Sequence, residues 1–479
     1  MDNLDTSTNP CERTGFTLGE DTTIIEAMAM KKAEQAESTT NTTTEKPTPE
    51  PTLKPSYYNF TFSEFGENDD TLVYNSRTGA MAVLDKESFN AFNNFCKNSE
   101  AVENEELLNS IKHCGFLIDT ELSERDEIRL NMLSQRFSSS ALALTIAPSM
   151  DCNFRCSYCF EAGSLHKTPM SDEVASKIVD LVSSRASQLS HLEVSWFGGE
   201  PLLDMERIES LSTDLMKVCE QYNINYKSDI ITNGYFYTPE IAHRLKDCKV
   251  SKVQITIDGT KETHDQRRFL ECGGGTFDTI LQNLKDTKGI LPVVIRINVD
   301  LDNREQVNDI LSVLQQEELT GFVTPYLGHV EPYTDSCEGT NCLSTKQFGE
   351  YYLKFTKDNG GDITSIFPQP KSICCFADSN NAFAIDPYGD VYKCYADLGN
   401  KDKVIYSLLT EDTRPSQVYY NYVLFDPTNQ PQCSACKMLP LCMGDCPSLK
   451  SQGKDSCARY KHNLDEHITE CAKRILEMS

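Results

Sequence analysis

Short apolar runs alternate with longer amphipathic stretches through the middle of the chain, and that rhythm predicts six strands at residues 141–148, 192–197, 229–232, 253–258, 293–300 and 322–327. Between them, apolar positions at helical spacing predict helices over residues 172–189, 205–219 and 304–316. Strands joined by crossover helices make a parallel sheet, here a curved sheet or incomplete barrel, and ligands of such folds sit beyond the carboxyl ends of the strands. The expected class is α/β, with a core region over residues 138–330.

The pattern differs on either side. Tyr58, Phe60 and Phe62 alternate, and residues 70–85 read as two strands about the turn Asn75-Ser76-Arg77-Thr78-Gly79. Phe89, Phe92 and Phe95, then Leu107, Leu108 and Ile111, mark two helices, and Phe116-Leu117-Ile118 a further strand. Residues 56–130 thus form a compact α+β module. Residues 1–55 include a Thr/Pro/Glu-rich tract with little to bury and read as a disordered tail. Within it, Ile24, Ile25, Met28 and Met30 offer one weak helical face over residues 22–36, and Cys11 reads as a stray thiol. After residue 330 the periodicity fades and cysteines crowd together, defining a domain over residues 331–479 in which metal cross-links offset a thin core.

Composition narrows the class. The 479 residues are 39% hydrophobic and 24% charged, with no apolar run long enough to span a bilayer, and the start lacks a secretory signal, so the expected compartment is cytoplasmic. In a reducing compartment, 20 cysteines point to metal or redox chemistry rather than disulfides. A formal charge of −27 argues against nucleic acid or an anionic membrane as partner.

The first cluster, Cys152, Cys156 and Cys159 in the run DCNFRCSYCF, follows the first predicted strand of the core. Three thiolates on a 4Fe-4S cubane leave one iron open to a substrate or cofactor, whereas electron-transfer clusters usually have four. A structural zinc site, the alternative, wants a fourth ligand nearby, and His166 has no established geometric claim.

CxxxCxxC with Tyr158 before the third cysteine resembles the signature of the radical S-adenosylmethionine (SAM) superfamily. Gly198-Gly199-Glu200-Pro201, ending the second strand, is similar to that family's GGEP segment, whose backbone and Glu receive the methionine amino group; alone it would read as a tight turn. The resemblance also implies cofactor contacts from Asn233 and Thr256 at the next two strand ends. It further makes His264-Asp265-Gln266-Arg267-Arg268 an HDxxR-like segment in which Arg268 pairs with a carboxylate. The alternative for Arg268 is a solvated surface charge.

In the C-terminal region Cys375, Gly389 and Cys394 precede the run Cys433-x2-Cys436-x5-Cys442-x3-Cys446, with Cys457 beyond. This resembles the SPASM extension of radical enzymes, which holds two auxiliary 4Fe-4S clusters. By that resemblance Cys375, Cys394 and Cys446 serve the inner cluster, and Cys433, Cys436, Cys442 and Cys457 the outer one. Cys374, Cys337, Cys342 or an open iron completes the inner set, and Cys471 reads as a helix cysteine. A zinc ribbon would explain residues 433–446 but not the cysteines on either side.

The front module resembles the winged-helix-like recognition element of enzymes that mature ribosomally made peptides, where a leader adds a strand to the sheet; an ordinary capping domain is the alternative. The resemblance implies SAM, three 4Fe-4S clusters, a precursor peptide with leader and a flavodoxin- or ferredoxin-type donor. It implies a 5'-deoxyadenosyl radical that abstracts hydrogen from a Cys-containing peptide to give an intramolecular thioether, as in ranthipeptide and sactipeptide maturases. Carbon–carbon cross-linking, epimerisation and formylglycine formation are the neighbouring outcomes. An iron–sulfur electron carrier or metal-binding scaffold is the reading of a different class.

Overall fold

The computed structural model describes residues 14–18, 22–26, 52–66, 68–331, 341–454 and 456–478. Cys11 and Cys337 lie outside them. The strands, in chain order, are Thr14–Leu18 (β1), Thr22–Glu26 (β2), Leu53–Pro55 (β3), Asn59–Phe65 (β4), Asp70–Asn75 (β5), Met81–Leu84 (β6), Leu117–Asp119 (β7), Ala141–Ile146 (β8) and Ser149–Met150 (β9). They continue with His166–Pro169 (β10), His191–Trp196 (β11), Asn225–Thr232 (β12), Val250–Thr256 (β13), Val293–Val299 (β14), Val323–His329 (β15), Ala382–Ile385 (β16), Asp390–Tyr392 (β17) and Tyr406–Ser407 (β18).

The six core strands pair in parallel and in chain order, β8-β11-β12-β13-β14-β15, as the alternation of strands and helices predicts. Their helix-facing residues, such as Leu142, Leu144, Val194, Trp196, Ile255 and Ile295, are fully or almost fully buried. Helices Asp172–Ser183, Met205–Tyr222 and Val307–Gln316 bury Ile178, Val182, Ile208, Leu215, Val307 and Ile310 in the same core. Because each β-strand is followed by its helix, all six carboxyl ends open on one side.

One feature is absent from the sequence reading: β16, from the cysteine-dense C-terminal region, adds to the free edge of β8 in parallel, with Ala382 opposite Ala143. It carries β17 and β18 antiparallel beyond it, so the sheet runs across the boundary drawn at residue 330.

The front sheet has the order β1-β2-β6-β5-β4. Residues 22–26 are a strand, not the start of the helix expected over residues 22–36, and the sheet thereby reaches into the segment expected to be disordered. The run Thr22-Thr23-Ile24-Ile25 is β-branched throughout, which favours a pleated surface over a helix. Helices Lys86–Asn98 and Glu105–His113 start at Asp85 and Asn104, whose side chains accept from the Ser88 and Leu107 amides. Phe92, Leu107 and Ile111 cover one sheet face with Ala82 and Leu84. The C-terminal region covers the other: Tyr74, Met81 and Val83 pack with Phe367, Ile468 and Cys471, the last in helix Leu464–Met478. No helix among the described residues is long and apolar enough to cross a membrane.

Candidate functional site

The cysteine loop leaves β8 and is clamped at its base where β9 pairs antiparallel with β10. Its middle is stitched to the segment after helix Lys261–Arg267: Arg155 N donates to Phe269 O (2.8 Å), Ser157 N to Arg267 O (3.0 Å) and Glu271 N to Asn153 O (2.8 Å). So held, Cys152, Cys156 and Cys159 all line a cavity of about 360 Å³ beyond the strand ends. Burial pushes the Cys152 thiol up to about 12 and raises Cys156 as well, with Arg268 opposing both shifts. Thiolates there depend on cations to hold their charge, and iron bound to the loop would supply them.

Six of the eight expected cofactor residues line this cavity: Tyr158, Gly198, Gly199, Asn233, Thr256 and Arg268. The glycines have a prior reason to be there. A Cβ on Gly199 would stand 2.2 Å from Asp151 O, and one on Gly198, whose φ is +106°, 2.6 Å from Ser149 O. Only bare backbone lets the end of β11 press against the cysteine loop.

Glu200 and Pro201 stand behind the wall. The Glu200 carboxylate is fully buried, accepting from Leu202 N (2.9 Å) and Thr232 Oγ1 (2.7 Å) on Oε1 and from Asn233 N (2.7 Å) on Oε2. It ties the ends of β11 and β12 together, and its acceptors are engaged by the protein itself. Asn233 in turn donates from Nδ2 to Asn153 Oδ1 (2.8 Å), linking β12 to the cysteine loop.

Tyr158 anchors a buried network beneath the loop. Its hydroxyl donates to Asp258 Oδ2 and accepts from Arg268 Nη1 (2.8 Å) and Asn298 Nδ2 (3.1 Å), while Asp258 Oδ1 accepts from Asn298 N (3.0 Å). The carboxylate partner expected for Arg268 belongs to its neighbour: Arg267 Nη1 bonds Asp300 Oδ2 at 2.8 Å and its Nε lies 3.7 Å from Asp258. Arg268 is buried rather than a surface charge, and lies over the Phe154 ring at 5.8 Å. His264 is fully buried and held neutral by that burial and by both arginines.

The opposite wall is made by residues the motifs did not single out: Gln254, Arg296, Asn298, His329, Glu331 and Tyr395. A partial signal existed, since Gln254 and Thr256 on β13, and Arg296 and Asn298 on β14, are polar at alternate positions between apolar Val253 and Ile255, and Ile295 and Ile297. Gly328 makes room for Arg296, because a Cβ there would lie 2.5 Å from its Nε. Glu161, also at the wall, has its carboxyl pushed up to about 8 by burial.

Cys433, Cys436, Cys442 and Cys457 line one small cavity of about 40 Å³, where Lys461 Nζ lies 3.1 Å from Cys457 Sγ. Cys375, Cys394 and Cys446 form a second group: burial and then Asp397 raise the Cys394 thiol, with Cys375 and Cys446 adding to the shift, and burial and Cys375 raise Cys446. Asp378 Oδ2 accepts from the amides of Cys374 (3.0 Å) and Cys375 (3.2 Å), so Cys374 flanks this group. Cys342 is partly exposed. Among the described residues no three His, Cys, Asp or Glu groups converge as a single-ion site. Tyr395, which follows Cys394, lines the large cavity, so the second cysteine group and that cavity share a wall.

The front module sits on the same region. Tyr57 Oη donates to Ala435 O (2.7 Å), Ser76 Oγ to Lys437 O (2.5 Å) and Lys437 Nζ to Asn59 O (2.8 Å).

A partial parallel barrel whose cysteine loop, glycine wall and strand ends converge in this way defines a radical SAM core, and residues 146–314 match the family described as the Radical SAM superfamily. The chain thus carries a radical SAM domain, and that domain implies SAM and a 4Fe-4S cluster. Its relatives include maturases. It is 24% identical over 365 residues to a cysteine-type anaerobic sulfatase-maturating enzyme of Clostridium novyi, covering 69% of this chain and 96% of that protein. It is 23% identical over 452 residues to the radical SAM cyclopropyl synthase TigE of Paramaledivibacter caminithermalis, covering 81% and 90%. It is also 24% identical over 335 residues to the mycofactocin maturase MftC of Mycolicibacterium smegmatis, covering 66% and 80%. Among solved structures, native anSMEcpe with bound AdoMet and Kp18Cys peptide shares the fold at TM-score 0.55 and 22% identity, over 71% of this chain and 99% of that one.

Proposed function

We propose that this protein is a peptide maturase that forms an intramolecular thioether in a ribosomally made, Cys-containing precursor. The observation carrying the reading is the wall shared through Cys394 and Tyr395 between the large cavity and the second cysteine group. A thioether needs a substrate carbon at the radical site and a sulfur held close by, with somewhere for one further electron to go.

In this reading Cys152, Cys156 and Cys159 hold the open cluster, with Cys375, Cys394 and Cys446 on the inner auxiliary cluster and Cys433, Cys436, Cys442 and Cys457 on the outer. SAM, when bound and reduced, supplies a 5'-deoxyadenosyl radical that takes a hydrogen atom from substrate carbon. Tyr158, Asn233, Thr256 and Arg268, with the Gly198-Gly199 backbone, would hold SAM, while the Glu200 carboxylate fixes the strand ends beside the cavity and Pro201 opens the turn that follows. Phe160, Phe197 and Tyr395 pack against one another at the mouth and exclude water. The module over residues 56–130 receives the leader, and a flavodoxin- or ferredoxin-type protein in the cytoplasm supplies electrons.

A second reading, oxidation of a cysteine or serine to formylglycine, is favoured by the sulfatase-maturating relatives. The two separate in one experiment. A Cys-containing candidate precursor is incubated anaerobically with reconstituted enzyme, SAM and reductant, then analysed by mass spectrometry before and after alkylation. Loss of two hydrogens with the thiol blocked to alkylation supports the thioether. A carbonyl trapped by a hydrazine, with sulfur lost, identifies formylglycine and overturns it, as does a two-hydrogen loss that leaves every thiol reactive.

A further inference from the structure

With 45 basic and 72 acidic residues, the chain repels other acidic proteins over most of its surface. The rim of the outer cysteine cavity departs from that average. Among the described residues the cavity is lined by Lys450 and Lys461 and by no acidic residue. Over residues 430–462 there are five basic residues, Lys437, Lys450, Lys454, Arg459 and Lys461, against two acidic ones, Asp445 and Asp455. Lys437, Lys454 and Lys461 are exposed, while Asp445 is half-buried with its carboxyl pushed up by that burial. Lys371, also exposed, joins them, since its amide donates to Pro440 O at 2.9 Å. The next acidic residues along the chain are Asp465 and Glu466, in the first turn of the last helix.

Beside the lysines stands an aromatic anchor. Tyr57 is 47% exposed, and Lys437 Nζ lies 5.8 Å from its ring centroid. In the second group Cys394 is only 6% exposed, and the first three cysteines sit within the barrel mouth.

We propose that this lysine rim is the docking surface for an acidic electron carrier of the flavodoxin type, so that electrons enter at the cavity of Cys433, Cys436, Cys442 and Cys457. The inference rests on the reading that these four cysteines hold an iron–sulfur cluster. At each docking the carrier loses one electron and no proton, passing from its anionic two-electron-reduced flavin to the neutral one-electron-reduced form, and the cluster gains that electron. Opposite charge raises the encounter rate, and salt screens it.

The test compares the reconstituted wild type with a Lys437→Glu/Lys454→Glu variant and a control, Lys177→Glu/Lys217→Glu, whose charge changes equally on the outer helices of the barrel. Each is driven to form 5'-deoxyadenosine either by dithionite or by a flavodoxin reduced beforehand and freed of excess reductant. The rim variant is expected to keep its iron content and dithionite-driven rate. Its kcat/KM for flavodoxin falls about tenfold at low salt, and the deficit shrinks as salt rises. A flavodoxin-driven fall below threefold, an equal fall in the control variant, or a parallel fall with dithionite would each overturn the docking surface. The cluster reading fails separately: a Cys436→Ala/Cys457→Ala variant with undiminished iron removes it whatever the lysines do.

Discussion

Glu200 Oε2 accepts the backbone N–H of Asn233 at 2.7 Å, joining the ends of two neighbouring parallel strands through a carboxylate with no exposed surface. Burial raises its pKa while the bonds from Asn233, Thr232 and Leu202 lower it, with Arg268 a weaker influence in the same sense.

Replacing Glu200 by alanine leaves three buried donors without their acceptor. The expected cost is about 2–5 kcal/mol of stability, since each orphaned group costs roughly 1–3 kcal/mol. Urea unfolding of the apoprotein measures it. A variant of unchanged stability with only SAM binding lost would mean that the carboxylate serves the cofactor and not the strand ends.

The neighbouring arginines separate by role. Arg267→Ala strips Asp300 and Asp258 of their buried cation, and is expected to destabilise the apoprotein by about 3–5 kcal/mol. Arg268→Lys removes the planar donor to Tyr158, with a smaller stability loss but weaker iron retention at Cys156, read as irons per chain after desalting.

Iron counting divides the cysteines. Replacing Cys152, Cys156 and Cys159 by alanine is expected to remove about four irons per chain and all 5'-deoxyadenosine formation. The same change at Cys433, Cys436, Cys442 and Cys457 removes about four irons and leaves dithionite-driven 5'-deoxyadenosine formation measurable. Equal iron loss from both sets together with loss of folding, seen by circular dichroism, would contradict this division.

His467 gives an acid limit to stability. It is fully buried in the last helix, and burial holds its pKa down to about 4. The unfolded chain binds the proton more tightly, so stability present above about pH 6.5 is lost as pH falls toward 4, by about 3 kcal/mol from this group. His467→Gln is expected to flatten that portion of the curve in urea titrations at pH 7 and pH 4.5. Parallel curves for variant and wild type would exclude it.

Gly328→Ala tests the far wall. A methyl group 2.5 Å from Arg296 Nε must push the guanidinium away from its bond to Asn298. Peptide modification is expected to fall at least tenfold, while SAM cleavage without peptide changes little; equal losses in both assays would place the fault in folding.

What was legible in the sequence follows from what is local. The six parallel strands show as apolar runs because both of their faces are covered, and the first cysteine group shows because its spacing puts it on one short loop, whereas Cys375, Cys394 and Cys446 come together from separate segments. The protein donors to Glu200 were not legible, because a motif names an acceptor without saying which donors reach it. Arg267 and Arg268 are adjacent, so only the backbone direction after helix Lys261–Arg267 decides which one meets Asp300. Tyr395, His329 and Glu331 reach the cavity from segments far from the cysteine loop, and no local pattern announces a wall assembled that way.

The pairing of β8 with β16 has a consequence for the newborn chain. Ala143 must wait for Ala382, so at roughly 5–20 residues per second the ribosome leaves that strand edge open for about 12–48 seconds. An unpaired apolar strand is a template for pairing with another chain. Expression at lower temperature slows synthesis and collisions alike, whereas a chaperone that shields the edge of β8 acts on the waiting time alone; truncation before β16 makes the wait permanent, and the shortened chain is expected to aggregate.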